Sequence, residues 1–125
     1  MSTSLDEIIA ADLNGELAWE AFDIPGGSAP VSVCRLHADP ATRAVTAVVR
    51  FPAGWERAEA GAYEAAEEFH VLEGSVELNG EHHGPGTWVR VPAHVERRHT
   101  STPGGALTLA RFDGPPRWHP TRSTS

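Results

Sequence analysis

The chain has no lysine. All ten of its basic residues are arginines, which excludes a lysine Schiff base or lysine general base and leaves cationic chemistry to Arg and His. Cys34 is the single cysteine, so neither an internal disulfide nor a cysteine-based zinc site can form, and a reducing cytoplasm suits the composition. No apolar run approaches the length of a membrane span. The start, Met1 to Glu7, carries Asp6 and Glu7 where a secretory signal would be positive, so the expected location is the cytoplasm. Positive charge is also in deficit: a net charge of -7 and a pI near 5.4 repel a phosphate backbone, and nucleic acid is not an expected partner.

Short runs rich in Val, Phe, Trp and Thr are abundant, broken by glycine and proline, and this pattern predicts an all-β chain. With 125 residues one domain is expected, its core at about 31–112, an N-terminal segment at 1–30 and a tail at 113–125. Strands are expected at 19–24, 31–37, 43–51, 66–73, 75–78, 87–91, 96–100 and 106–112. Turns are expected at Gly26-Gly27, Pro52 to Gly54, Asn79-Gly80, Gly84 to Gly86 and Pro103 to Gly105. Strands this short suit a barrel or sandwich, which hides sheet edges. The stretch Leu5 to Leu13 predicts a helical turn or two, and Trp118 is expected to anchor the first half of a tail whose last residues are mobile.

The most informative segments are Glu67-Glu68-Phe69-His70-Val71-Leu72-Glu73-Gly74 and Gly84-Pro85-Gly86-Thr87-Trp88-Val89-Arg90-Val91-Pro92-Ala93. They resemble the two motifs of the cupin superfamily, and are most similar to the cupin half of bacterial anti-sigma factors and to diketone-cleaving dioxygenases. The resemblance covers about 31–112 and implies a cupin-type double-stranded β-helix, or jelly-roll barrel, around a small-molecule cavity. In that family three His and one Glu hold a divalent metal. Counting along the motifs from Glu67 and Pro92 puts Gly61, Tyr63 and Arg97 at the three histidine positions and His94 at a glycine position. Only Glu67 remains as a standard ligand.

Other histidines do not obviously replace them. His99, two residues past Arg97, is expected to face inward on the same strand, but a two-residue step moves a side chain by roughly 6.6 Å, whereas metal–nitrogen bonds hold near ~2.1 Å. His70 should face the other side of its strand. His82 and His83 are expected in a turn, and Glu56, Glu59, Glu64 and Glu68 as solvated carboxylates.

These residues support several readings. In the first, no cofactor is needed: Arg97 takes the ion's place beside Glu67 and holds a substrate carboxylate or enolate, Glu67 or His99 moves a proton, and Tyr63 donates a hydrogen bond. That suits an isomerase, cyclase or lyase step, with Phe69, Val71 and Trp88 lining or rimming the substrate pocket. In the second, Glu67 and His99 help bind Fe, Ni, Zn or Mn in a dioxygenase. In the third, the chain is a non-catalytic ligand-binding or sensing module, in which Glu67 and Arg97 merely satisfy one another. A homodimer is the assembly the resemblance implies.

Overall fold

The computed structural model describes residues 18–121; Leu5 to Leu13 and the end of the tail lie outside them. Among the described residues there are twelve strands: β1 (Glu20–Phe22), β2 (Val31–Ala38), β3 (Val45–Phe51), β4 (Trp55–Arg57), β5 (Gly61–Tyr63), β6 (Glu67–Gly74), β7 (Val76–Leu78), β8 (Glu81–His83), β9 (Trp88–Val91), β10 (Thr100–Thr102), β11 (Ala106–Phe112) and β12 (Trp118–Pro120). No helix among them is long and apolar enough to cross a membrane. A six-stranded sheet, ordered β1-β2-β3-β11-β6-β9, faces a four-stranded sheet, β4-β10-β7-β8, and β12 and β5 form a separate pair.

Alternation along the strands decides what lies between the sheets. On β6, Glu67, Phe69 and Val71 are buried while Glu68, His70 and Leu72 are half-buried on the opposite face, as a period of two requires. Phe69, Val71, Val91, Ala106 and Ala110 of the larger sheet pack on Val76 and Leu78 of the smaller one. The Val, Leu and Phe side chains among them each contribute about 1.5–3 kcal/mol when fully buried. A bulge in the β6–β11 pairing at Leu107/Thr108 leaves Leu72 without a partner, and Leu72 packs on the outer face with Cys34, Val48 and Leu107.

The strands that sequence periodicity does not reveal are β4, β5, β8 and β12, each of three residues, too short to display an alternation. His82 and His83 therefore lie on β8 rather than in a turn. Their hairpin is closed by Asn79 and Gly80, both with positive φ (51° and 83°), the type I′ geometry that matches strand twist.

The predicted strand at 96–100 is also different. Arg97 makes a lone bridge with Gly61, and regular pairing resumes only at Thr100. Between them, the Asn79 side-chain oxygen accepts from the amides of Arg98 (2.6 Å) and His99 (3.4 Å). Those amides are turned toward the hairpin, and the inward/outward alternation is broken there.

His94 sits at the turn before this segment with φ 67°, and its amide donates to the Tyr63 carbonyl at 2.8 Å. The residue thus adopts the left-handed backbone that glycine prefers, so the turn keeps its length and Arg97 keeps its place. His94→Gly should stabilise the chain by about 0.5 kcal/mol, the left-handed penalty less the glycine entropy. Urea denaturation measures this; a loss of stability would mean that the imidazole itself holds the turn.

Candidate functional site

Between the two sheets lies a cavity of about 430 Å³, walled largely by apolar side chains that include Phe69, Val49, Trp55 and Leu78. Its polar groups gather where β5, β6 and the Arg97 bridge meet. Tyr63, Glu67 and Arg97 all line the cavity, as the motif count expects. Arg97 is 6% exposed and donates from Nη1 to Glu67 Oε1 at 2.5 Å. Its guanidinium also lies 4.8 Å from the centroid of the Tyr63 ring. Among the described residues, Oε2 of Glu67 has no hydrogen-bond partner and is the carboxylate oxygen left for a ligand.

Arg57 is the site residue that sequence reasoning misses. It is 3% exposed, donates from Nη2 to the Tyr63 hydroxyl at 2.6 Å and from Nε to the Pro25 carbonyl at 2.9 Å, and lies 3.8 Å from the Trp118 ring centroid. Along β4 Trp55 and Arg57 are buried and Glu56 is exposed, a pattern that the residue types Trp-Glu-Arg do not themselves display. Trp118 is brought there by the β12–β5 pairing, which sets it opposite Tyr63, and its indole nitrogen donates to Glu59 at 2.8 Å. Its anchoring role is the expected one. The indole also occupies the space beside the Gly61 α-carbon, where a side chain would stand.

Burial raises the Tyr63 hydroxyl above its ordinary pKa of 10.0, and the Glu67 charge adds to the rise, against the lowering effect of Arg57 and Arg97. Tyr63 is therefore a neutral phenol, able to donate one hydrogen bond while accepting from Arg57. A raised folded-state value means that stability is intact below pH 10.0, the ordinary value, and is lost as the pH climbs through the folded-state value. This is the chain's single tyrosine, so phenolate absorbance reads it alone. We expect its titration above that of a free tyrosine, with a parallel loss of stability that Tyr63→Phe abolishes; titration at the ordinary value would place the hydroxyl in solvent.

Other expected pocket residues are placed elsewhere. His99 does not line the cavity: its side chain is 46% exposed and its Nε2 faces Glu56 at 3.5 Å, because the Asn79 contacts turn this segment outward. Trp88 is 52% exposed and pairs across β9–β6 with His70 on the outer sheet face. Val71 faces inward but lies in the packed core, 0% exposed, behind the cavity wall. Of the three expected pocket residues, Phe69 lines the cavity. Glu59 and Glu64 are not simply solvated, since Glu59 accepts from Trp118 and Glu64 lies 2.7 Å from Nε2 of His119.

The donor set around the cavity does not fit a divalent metal. Glu67 is the one Asp, Glu, His or Cys in its lining, and among the described residues no group of three or more such side chains is placed to hold an ion. One oxygen of Glu67 already accepts from the Arg97 guanidinium, whose permanent charge repels a second cation.

A small antiparallel jelly-roll with its cavity between the sheets and its polar groups at the mouth of β6 defines a cupin-type barrel. The match to the family of ChrR cupin-like domains over residues 14–116 makes the chain a member of that family. Among solved structures it is similar to an acetylacetone dioxygenase from Acinetobacter johnsonii, with TM-score 0.68, 19% identity, and 78% of this chain and 68% of that one covered. It is also similar to the polyketide cyclase RemF from Streptomyces resistomycificus, with TM-score 0.69, 20% identity, and 88% and 83% covered. A third is an RmlC-like cupin from Shewanella frigidimarina, with TM-score 0.60, 23% identity, and 78% and 85% covered. At these identities the likeness is one of fold. No curated protein matches the chain.

Proposed function

We propose that the chain binds a small organic molecule in the interior cavity and carries it through a non-oxidative acid–base step, of the isomerase, cyclase or lyase kind. The observation that carries this reading is the buried Arg97–Glu67 pair set in a polar corner of a largely apolar cavity, with Tyr63 beside it. In this scheme the free Oε2 of Glu67 takes a proton from carbon or oxygen of the bound molecule. The Arg97 guanidinium stabilises the charge that develops on the neighbouring substrate oxygen, and the neutral Tyr63 hydroxyl donates to it. The apolar walls exclude water, which strengthens each of these interactions.

The test begins with a thermal-shift screen of small organic molecules against the full chain. Glu67→Gln keeps an oxygen to accept from Arg97 and removes the base, so it should retain ligand binding and abolish turnover. Unchanged turnover removes Glu67 from the mechanism. Stoichiometric iron, nickel, zinc or manganese in untagged protein would overturn the metal-free scheme and favour a dioxygenase, the activity named for one of the similar structures.

A homodimer belongs to the same proposal. It is supported by the open sheet edge at β9, where the large apolar side chain of Trp88 is left half exposed. Sedimentation equilibrium decides it, a monomer at working concentrations being the result against it.

A further inference from the structure

From the charges around the cavity we infer that its ligand is an organic monoanion, a carboxylate on an apolar body, drawn in past Arg35 and Arg43 and held at Arg57 and Arg97. The inference rests on the ligand-binding reading above and gives it a substrate class.

The chain as a whole is acidic, at net charge -7 with 17 Asp and Glu, yet the cavity lining inverts that balance. Four of the ten arginines line it, with Glu67 as the one carboxylate. Two of the four are already matched: Arg97 is paired with Glu67, and Arg35 faces Glu20 at 3.4 Å outside the lining. Arg43 and Arg57 make no ion pair with any described residue. Glu59, in the loop after β4, is engaged by the Trp118 indole and does not pair with Arg57.

Arg57 is the decisive member. A guanidinium only 3% exposed is costly to bury without an anion. The Trp118 and Tyr63 rings, at 3.8 and 5.2 Å from its central carbon, offset part of that cost, since each such contact contributes about 0.5–2 kcal/mol. They do not neutralise the charge.

The donors to receive an anion are in place. Nη1 of Arg57 and Nη2 of Arg97 make no hydrogen bond to a described residue. Close by, Nε of Arg97 and Oγ1 of Thr100 are buried without a hydrogen-bond partner among the described residues. Arg35 and Arg43 are both exposed and stand where the cavity meets solvent. There they counter the repulsion that an acidic protein exerts on an approaching anion. The apolar remainder of the wall accommodates the ligand's body.

Calorimetric titration of the full chain with naphthoate and its neutral isostere naphthamide tests the inference. Naphthoate should bind at least about tenfold more tightly, as a charge-assisted contact implies, and the preference should shrink with added salt. Arg57→Gln should bring naphthoate down to the affinity of naphthamide. Should that variant fail to fold, Arg43→Ala at the exposed rim should still slow naphthoate association and leave naphthamide unaffected. Equal binding of the two probes would overturn the inference about charge and leave the cavity a ligand site. Binding of neither would overturn the ligand-site reading and the inference with it.

Discussion

Replacing Arg97 with leucine is expected to destabilise the fold by about 3–5 kcal/mol, because it leaves a buried carboxylate without its partner. Arg97 is 6% and Glu67 9% exposed, so little water reaches either group to take over the lost bond. The companion experiment is the double variant Glu67→Leu/Arg97→Leu, which removes both charges and substitutes apolar volume; it should recover most of the loss, since a buried ion pair contributes little net stability over packed hydrocarbon. Urea denaturation of the wild type, both single variants and the double variant gives the coupling directly. A single-variant loss below about 1 kcal/mol would place this pair among solvent-exposed ones and remove the electrostatic basis of the site.

Gly61→Ala carries the second large expected effect, a loss of about 2–3 kcal/mol through overpacking. An alanine methyl at this position would stand 2.4 and 2.6 Å from two Trp118 ring carbons and 2.7 Å from the His119 carbonyl oxygen. One of these atoms is backbone paired in the β12–β5 ladder, so the clash cannot be relieved by a side-chain rotation alone. β12 must lift, and with it the Trp118 indole that stacks on Arg57. Tryptophan fluorescence should shift toward the solvent-exposed value along with the stability loss. Gly104→Ala is the control, since a methyl there meets nothing within 4 Å and should change stability by no more than about 0.5 kcal/mol. A Gly61→Ala protein as stable as the control would mean that β12 does not pack tightly on β5.

The two substitutions probe parts of the site that differ in how far the sequence reveals them. The segment from Glu67 to Gly74 is long enough to alternate, so the inward direction of Glu67, Phe69 and Val71 follows from spacing alone. The motif count brings Tyr63 and Arg97 to the same corner, and the left-handed backbone of His94 is what keeps that count in step. Arg57 and Trp118, by contrast, are 61 positions apart and meet because β12 lies beside β5. Each of these strands has three residues, and no local pattern records such a pairing. His99 faces outward for a related reason: one side-chain oxygen, on Asn79, accepts from the amides of Arg98 and His99 and ends the alternation on which an inward placement depends. Trp88 does follow the alternation of β9 and turns out to the face that packing leaves open.

By itself, then, the sequence determined the all-β character of the chain, the positions of its tight turns and the motif spacing that brings Tyr63, Glu67 and Arg97 to one corner of the cavity. All of these depend on residues close together in the chain or on a motif of fixed spacing. Only the tertiary structure decided which charges are matched inside the barrel and which are not. Burial and ion pairing are set by side chains converging from strands distant in sequence, and Arg57 acquires its meaning from that convergence.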